Sequence, residues 1–316
     1  MFSKTSNRFL LIPALVLTAG LASAQTNPAP VYYDTYFQDV PQTGAPDSVF
    51  FTWIQLAKRL GLAIPSAVGP CLASNLPPGA VPPIVQPPVS GAAPGATQAV
   101  CPYFGPDALV SRAEMAYWIV RSQMDEAQVT NFLCASGGDP TGLSQCAGGI
   151  PVSTFGDLGP AGASIVNPFL APNPALGIAG VTNAQLMRYI EVMVRRGYTK
   201  GCSSTGDPVF GYCPNAPVKR AEMAVFLIRA KLNNVFPTTL SGVPLNEPYG
   251  DNFGAAPPAY FTDVTPTDPL YGSYYLYIQK LRELGITSGT TATTFSPGNN
   301  VTRKEIATFA VKAFFL

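Results

Sequence analysis

The sequence contains no histidine among its 316 residues, and only 12% of them are charged. Histidine is the most common general base and metal ligand, so its absence excludes imidazole-dependent serine and cysteine hydrolases and zinc sites that use histidine. An average soluble domain is about 25% charged, so this chain is too poor in charge for a solvated disordered tail. Its 19 basic and 18 acidic residues provide no net field to attract nucleic acid. What it has instead is 47% hydrophobic residues, enough for a packed core, with 33 prolines and 29 glycines.

Residues 1–24 have the pattern of a secretory signal peptide. Lys4 and Arg8 precede the apolar run Phe9–Leu21, and the small residues Ala22–Ala24 provide a cleavage site. The alternative is a transmembrane anchor, but about 13 apolar residues are short of the roughly 20 that span a bilayer. We therefore expect an exported protein that has no transmembrane anchor after cleavage.

The six cysteines favour disulfides, because an exported chain folds in an oxidising compartment. Six cysteines allow fifteen connectivities. Pairing of neighbours along the chain closes three local loops and is the prediction that we prefer: Cys71–Cys101, Cys134–Cys146 and Cys202–Cys213. Residues 72–100, inside the first loop, are rich in proline and predict a polyproline-like insert rather than a core element.

Three segments share five matched positions: an aromatic residue, then Pro, Val, Arg and Glu at offsets of two, six, eight and ten. They are Phe104, Pro106, Val110, Arg112 and Glu114; Tyr212, Pro214, Val218, Arg220 and Glu222; and Phe295, Pro297, Val301, Arg303 and Glu305. The apolar spacing after each arginine predicts an amphipathic helix. Ser111 with Glu114 and Thr302 with Glu305 fit a capping box, which Lys219 interrupts in the middle copy.

A second helical pattern precedes each of these segments and ends at a glycine suited to a left-handed C-cap, Gly61, Gly197 or Gly285. Still further upstream lies a Phe-x-Asp motif in each copy, at Phe37 and Asp39, Phe155 and Asp157, and Phe261 and Asp263. The repeated unit is therefore Phe-x-Asp, first helix, glycine turn, aromatic-x-Pro and second helix. Short strands are expected near Tyr198 or within residues 239–261.

These motifs resemble the S-layer homology family, whose repeats carry F-x-D-V, G-I-x-x-G and T-R-A-E sequences. The third copy is the most similar, with Phe261–Val264, Gly285–Gly289 and Thr302–Glu305. The resemblance implies a mainly α fold of three helix-loop-helix repeats in a pseudo-threefold bundle, with long disulfide-closed Pro/Gly-rich loops. The repeats would span residues 36–126, with the insert at 72–100, then 154–233 and 260–316.

The resemblance also implies noncovalent attachment to cell-wall polysaccharide in grooves between repeats, with the motif arginine as a ligand contact. This carries over to Arg112, Arg220 and Arg303, to which Lys219 and Lys304 add possible donors. Arg303 is the preferred candidate, because only the third repeat is compact and the proline-rich insert and disulfide loops could cover the other grooves. The alternative is that each arginine pairs with a structural acid of the fold: Asp39, Asp157, Asp263, Glu114, Glu222 or Glu305.

Two other function classes are alternatives to polysaccharide attachment. Carboxylates can hydrolyse glycosides without histidine, but each repeated glutamate already has a helix-capping role, so we expect no enzyme, no cofactor and no metal site. The second alternative is a structural surface or secreted protein that uses the repeats for protein-protein contacts. For the attachment module, the expected partner is cell-wall polysaccharide or another envelope glycan, and the expected location is the envelope or surface of a bacterium.

Overall fold

A computed structural model describes residues 37–40, 48–70, 84–86, 98–147, 150–172, 180–202, 211–232 and 258–316. These residues belong to one compact unit, Thr35–Leu316. The predicted signal peptide at residues 1–24 and most of the insert at 72–100 lie outside the described residues. Within the described part, no helix is both long and apolar enough to cross a membrane.

The described part of the chain is mainly helical, which confirms the predicted fold class at that level. Seven α-helices are found there: α1 Ser48–Arg59, α2 Arg112–Arg121, α3 Glu126–Ala135, α4 Asn183–Arg195, α5 Arg220–Lys231, α6 Tyr275–Glu283 and α7 Arg303–Phe314. α1, α4 and α6 are the predicted first helices. Each is followed within two residues by the predicted glycine, with φ of +75°, +72° and +71° at Gly61, Gly197 and Gly285. That left-handed conformation favours glycine and ends the helix.

The strands lie where none was expected. β1 (Ala67–Pro70), β2 (Ile84–Gln86) and β3 (Gln98–Tyr103) form an antiparallel sheet in the order β1-β3-β2, with Gly69 opposite Cys101. The sheet therefore closes the base of the proline-rich insert. Tyr198 is not in a strand, and residues 239–257 lie outside the described residues.

The three second helices begin next to one another, and the contacts of their first residues form a closed cycle. The backbone N–H of Val110 donates to the carbonyl of Val301, Val301 donates to Val218, and Val218 donates to Val110, each at 2.9 Å. Each first helix also packs against the second helix of another copy: α1 against α7, α4 against α2, and α6 against α5. The apolar faces of α2, α5 and α7 meet in one buried core that includes Trp118 and Phe226.

The caps of the second helices differ from copy to copy. In α7 the carboxylate of Glu305 accepts from the backbone N–H and the hydroxyl of Thr302, both at 2.9 Å. In α5 the carboxylate of Glu222 accepts from the backbone N–H of Lys219, so the carboxylate half of the cap survives the lysine. In α2 only the hydroxyl half forms, from the N–H of Glu114 to Ser111. The carboxylate of Glu114 is therefore directed elsewhere.

Candidate functional site

The three aspartates of the Phe-x-Asp motifs bind backbone amides rather than the arginines. Each accepts the N–H groups of an aromatic residue and of the residue that follows it, at 2.6–3.1 Å: Asp39 from Phe104 and Gly105, Asp157 from Tyr212 and Cys213, and Asp263 from Phe295 and Ser296. The second residue of each pair has positive φ, +70°, +55° and +58°. The aspartate therefore fixes a left-handed turn seven residues before the first residue of each second helix.

Replacing one of these aspartates should destabilise the turn that it holds. Asp263→Ala removes charged acceptors from the N–H groups of Phe295 and Ser296, and we expect a loss of about 2–3 kcal/mol in the free energy of unfolding. Urea denaturation measures this loss. Glu283→Ala is a matched control, because Glu283 pairs with Lys280 through a side chain that is 39% exposed and should change stability by less than about 1 kcal/mol. Equal effects of the two variants would contradict the assigned role.

Each motif arginine pairs with the glutamate of the next copy, and the three pairs also close a cycle. The pairs are Arg112–Glu222 at 2.9 Å, Arg220–Glu305 at 2.5 Å and Arg303–Glu114 at 3.3 Å. The arginines are 3%, 2% and 1% exposed, in the same order. Such pairs need further hydrogen bonds to offset desolvation. Arg112 and Arg220 make one by donating from Nε to the carbonyls of Tyr212 and Phe295.

Aromatic rings enclose all three guanidinium groups. Arg112 lies 4.9 Å from the ring centroid of Tyr212 and 5.3 Å from that of Phe226. Arg220 lies at similar distances from Phe295 and Phe309. A stacked, paired guanidinium of this kind is well suited to position its glutamate. Such a guanidinium leaves little of its own surface exposed for contact with a ligand.

A groove of about 340 Å³ opens beside the Arg220–Glu305 pair. Its wall is the turn after α6, where Ser288 and Thr290 are exposed, and the opposite side is formed by Phe50 of α1 and Lys312 of α7. The side chain of Glu305 is 21% exposed. The Nη2 atom of Arg220 donates no hydrogen bond to a described residue. Hydroxyls, a carboxylate, a cation and an aromatic ring therefore line one open groove.

The Arg112–Glu222 pair has similar surroundings. The turn after α4 carries Lys200 at the position of Ser288, and α5 carries Arg229 at the position of Lys312. Burial, and next the charge of Arg229, lower the pKa of Lys200. The side chain of Glu222 is 28% exposed, so this carboxylate is also open to solvent.

The third pair is covered. Glu114 is only 1% exposed at its side chain, and Arg303 donates to the carbonyls of Pro168 and Ile64 at 3.2 and 2.8 Å. The ring of Phe169 lies 5.3 Å from the Arg303 guanidinium. The compact spacing of the third repeat therefore does not produce an open Arg303, because the covering residues belong to the first and second copies: Ile64 follows α1, and Pro168 and Phe169 precede α4.

The two candidate lysines lie near the helix starts. Lys304 forms an ion pair with Asp107 at 2.5 Å, and its Nζ lies 5.5 Å from the ring centroid of Phe50, at the rim of the open groove. Lys219 is exposed, and its backbone pairs with Asn300.

Two of the predicted disulfides are confirmed, Cys134–Cys146 and Cys202–Cys213. Cys101 is also disulfide-bonded, whereas Cys71 lies outside the described residues. The Cys134–Cys146 loop begins in the last turn of α3, a helix that the repeat pattern did not predict. Arg188 of α4 holds this region by contacts to Glu126 and Asp139 at 3.1 and 3.0 Å.

The repeat motifs named above do not include the basic residues of α5 and α7 that lie at the grooves, Arg229 and Lys312, although the sequence carries a signal for them. A basic residue follows each motif glutamate by seven positions, at Arg121, Arg229 and Lys312. Seven residues are two helical turns, so glutamate and cation share a face. Lys312 and Arg229 lie 5.1 and 5.7 Å from the ring centroids of Trp53 and Tyr277 in neighbouring first helices.

Comparison with protein families assigns the C-terminal part of the chain. Residues 260–307 match the S-layer homology domain. These residues contain the third Phe-x-Asp motif, α6, the turn that lines the open groove, and the Arg303–Glu305 start of α7. A search of curated proteins found no match to the chain.

Proposed function

We propose that this chain, which carries an S-layer homology domain at residues 260–307, is a noncatalytic bacterial envelope module that attaches noncovalently to cell-wall polysaccharide. In this proposal residues 36–126 and 154–233 form two further repeats of the same family, and residues 260–316 form the third. The three repeats pack as a pseudo-threefold bundle. The cyclic valine contacts and the cyclic arginine-glutamate pairs support this arrangement, because each joins one copy to the next and the last to the first.

The single observation that carries the function is the groove at Arg220 and Glu305. Exposed hydroxyls of Ser288 and Thr290 can exchange hydrogen bonds with sugar hydroxyls, and the ring of Phe50 offers an apolar face for a sugar ring. Arg220 and Lys312 outweigh the charge of Glu305, so the groove favours a polymer with acidic substituents.

The arginines have a double role in this proposal. Arg112, Arg220 and Arg303 hold the glutamates that shape the grooves. Although Arg220 is only 2% exposed, its Nη2 donates no hydrogen bond to a described residue and supplies one donor for an acidic oxygen at the groove. Lys304 at the rim and the exposed Lys219 add cations near the helix starts. Weak binding at more than one groove is multiplied when the grooves engage one polymer chain, since the second contact is intramolecular.

Lys312→Ala should weaken attachment without unfolding the chain. Loss of one cation-carboxylate contact in a partly exposed groove is expected to lower the affinity for the polymer about tenfold. The measurement is cosedimentation with purified bacterial sacculi, before and after chemical removal of their wall polysaccharide. Lys280→Ala is the matched control, because Lys280 lies on α6 outside the groove lining and pairs with Glu283.

The same experiment separates the two function classes. Attachment to polysaccharide predicts loss of cosedimentation when the polymer is removed. Equal sedimentation with treated and untreated sacculi, unaffected by Lys312→Ala, would reject the proposal and favour the alternative of a surface protein that binds other proteins.

A further inference from the structure

We propose that the segment Pro168–Leu170 is a built-in occupant of the groove at Arg303 and Glu114. The chain then has two grooves open to a polymer and a third that it fills itself. The closure of this groove does not depend on what the other grooves bind. Only the number of polysaccharide-binding grooves rests on the proposed function.

The segment lies beside the turn that forms the groove wall. The N–H of Leu170 donates to the carbonyl of Pro65 at 3.1 Å, and the N–H of Val181 donates to the carbonyl of Leu170 at 3.2 Å. Pro65 follows Gly61 by four residues, as Gly289 follows Gly285 in the open groove. The segment is therefore hydrogen-bonded to the turn after α1. The equivalent turn of the third copy forms the solvent-facing wall of the Arg220–Glu305 groove.

Phe169 fills the space between this wall and the arginine. It is 5% exposed, and its ring centroid lies 4.6 Å from that of Tyr117 on α2. In the other two pairs the second ring beside the guanidinium belongs to the neighbouring second helix, at Phe226 and Phe309. The ring of Phe169 takes that place at Arg303.

The covered pair also differs from the open pairs in its hydrogen bonds. Nε of Arg303 and Oε2 of Glu114 are buried without a hydrogen-bond partner. In the open pairs the arginine Nε donates to a carbonyl, and the second glutamate oxygen accepts a capping N–H. Arg303 instead shares Nη1 between Glu114 and the carbonyl of Pro168. The hydrogen bonds of the Arg303–Glu114 pair thus differ from those of the two open pairs at the atoms that lie beside the segment.

Carboxylate footprinting tests the closure without any polymer. In the native chain, carbodiimide-driven amidation followed by peptide mass spectrometry should modify Glu222 and Glu305, and Glu114 roughly tenfold more slowly. Asn167→Gly should release the segment, because Asn167 accepts from the N–H of Phe169 at 3.0 Å and donates to the carbonyl of Val181 at 2.6 Å. Labelling of Glu114 should then approach that of Glu305.

Two further variants complete the test. Phe169→Ala removes the ring itself and should expose Glu114 as well, and unchanged labelling of Glu305 shows that each variant remains folded. Val166→Ala, at an exposed neighbour of the segment, should leave Glu114 protected. Rapid labelling of Glu114 in the native chain, or continued protection in both folded variants, would overturn the closure.

The number of grooves is measured with short fragments of wall polysaccharide by titration calorimetry. The native chain should bind two fragments, and Asn167→Gly should bind a third. If Glu114 becomes labelled but no third fragment binds, the assignment of a third groove fails. If the native chain binds no fragment while Glu114 still responds to Asn167→Gly, the proposed function fails and the closure stands.

Discussion

Arg303→Ala is expected to lower the free energy of unfolding by about 3–5 kcal/mol, the cost of leaving a buried charge without its partner. Glu114 is fully buried, and besides Arg303 only the indole N–H of Trp118 donates to its carboxylate among the described contacts. The variant also loses the hydrogen bonds to the carbonyls of Pro168 and Ile64. Urea denaturation near neutral pH measures the loss.

Arg220→Ala is the matched comparison. It removes the same kind of pair, but the side chain of Glu305 is 21% exposed and water can solvate the carboxylate that remains. We expect a loss of about 1–3 kcal/mol for this variant. A larger loss at Arg220 than at Arg303 would contradict the difference in burial.

The defect of Arg303→Ala should depend on pH. Burial raises the pKa of Glu114 above its ordinary value, and Arg303 opposes that rise. Without Arg303 the folded-state pKa rises further, so protonated Glu114 is favoured in the folded state. The stability of Arg303→Ala is then retained below the pKa that Glu114 has in the unfolded chain, and it is lost as pH rises toward the higher pKa that Glu114 has in the folded chain.

We therefore expect the difference between the native chain and Arg303→Ala to be larger at about pH 8 than at about pH 5. Adding Glu114→Gln to the variant should recover part of the stability at the higher pH, because the neutral amide has no charge to bury. If the difference were independent of pH and Glu114→Gln recovered nothing, a buried charge would not be the cause.

The helices and turns of this fold could be predicted because their signals are local. An aromatic residue, a proline and a capping acid within about ten residues predicted the starts of α2, α5 and α7, and glycines predicted the ends of α1, α4 and α6. By contrast, α3 and the sheet β1-β3-β2 lie in insertions that have no counterpart among the repeats. The comparison of the three repeats therefore could not predict α3 or the sheet.

The partners of the arginines could not be predicted because they are distant in sequence. Spacing placed an Asp and a Glu in every copy and did not distinguish between them. In the fold the aspartates accept the amides that precede the second helices, and the glutamates pair across copies, for instance Arg303 with Glu114. The covering of Arg303 by Phe169 was equally hidden, since an irregular segment gives no sign of where it will pack.

The two residues of the Cys202–Cys213 disulfide have equivalents in the other two copies, and each copy brings this pair of residues together by a different contact. The residue five after the glycine meets the residue after the aromatic: Thr290 and Ser296 join their hydroxyls at 2.8 Å, and the Oγ of Ser66 lies 2.9 Å from where a Cβ on Gly105 would be. This pair of residues thus links the turn that forms the groove wall to the turn that precedes the second helix. In the second copy alone this link is covalent.

Replacing both cysteines by serine is expected to lower the free energy of unfolding by about 3 kcal/mol, because the crosslink limits the unfolded chain over a loop of about 12 residues. Differential scanning calorimetry of the oxidised native chain and the variant measures this loss. The reciprocal change, Thr290→Cys with Ser296→Cys, should add about 2 kcal/mol when oxidised, since the loop is shorter and the side chains already meet.

The turn around this disulfide also reaches the second groove, because the carbonyl of Gly201 accepts from Nη2 of Arg112 at 3.3 Å. Loss of the crosslink should therefore be felt at the Arg112–Glu222 pair and not at the Arg220–Glu305 pair. Carboxylate labelling of Glu222 is expected to increase in the serine variant while that of Glu305 stays constant. Labelling that increased equally at both would mean that the crosslink stabilises the whole bundle rather than the wall of its own groove.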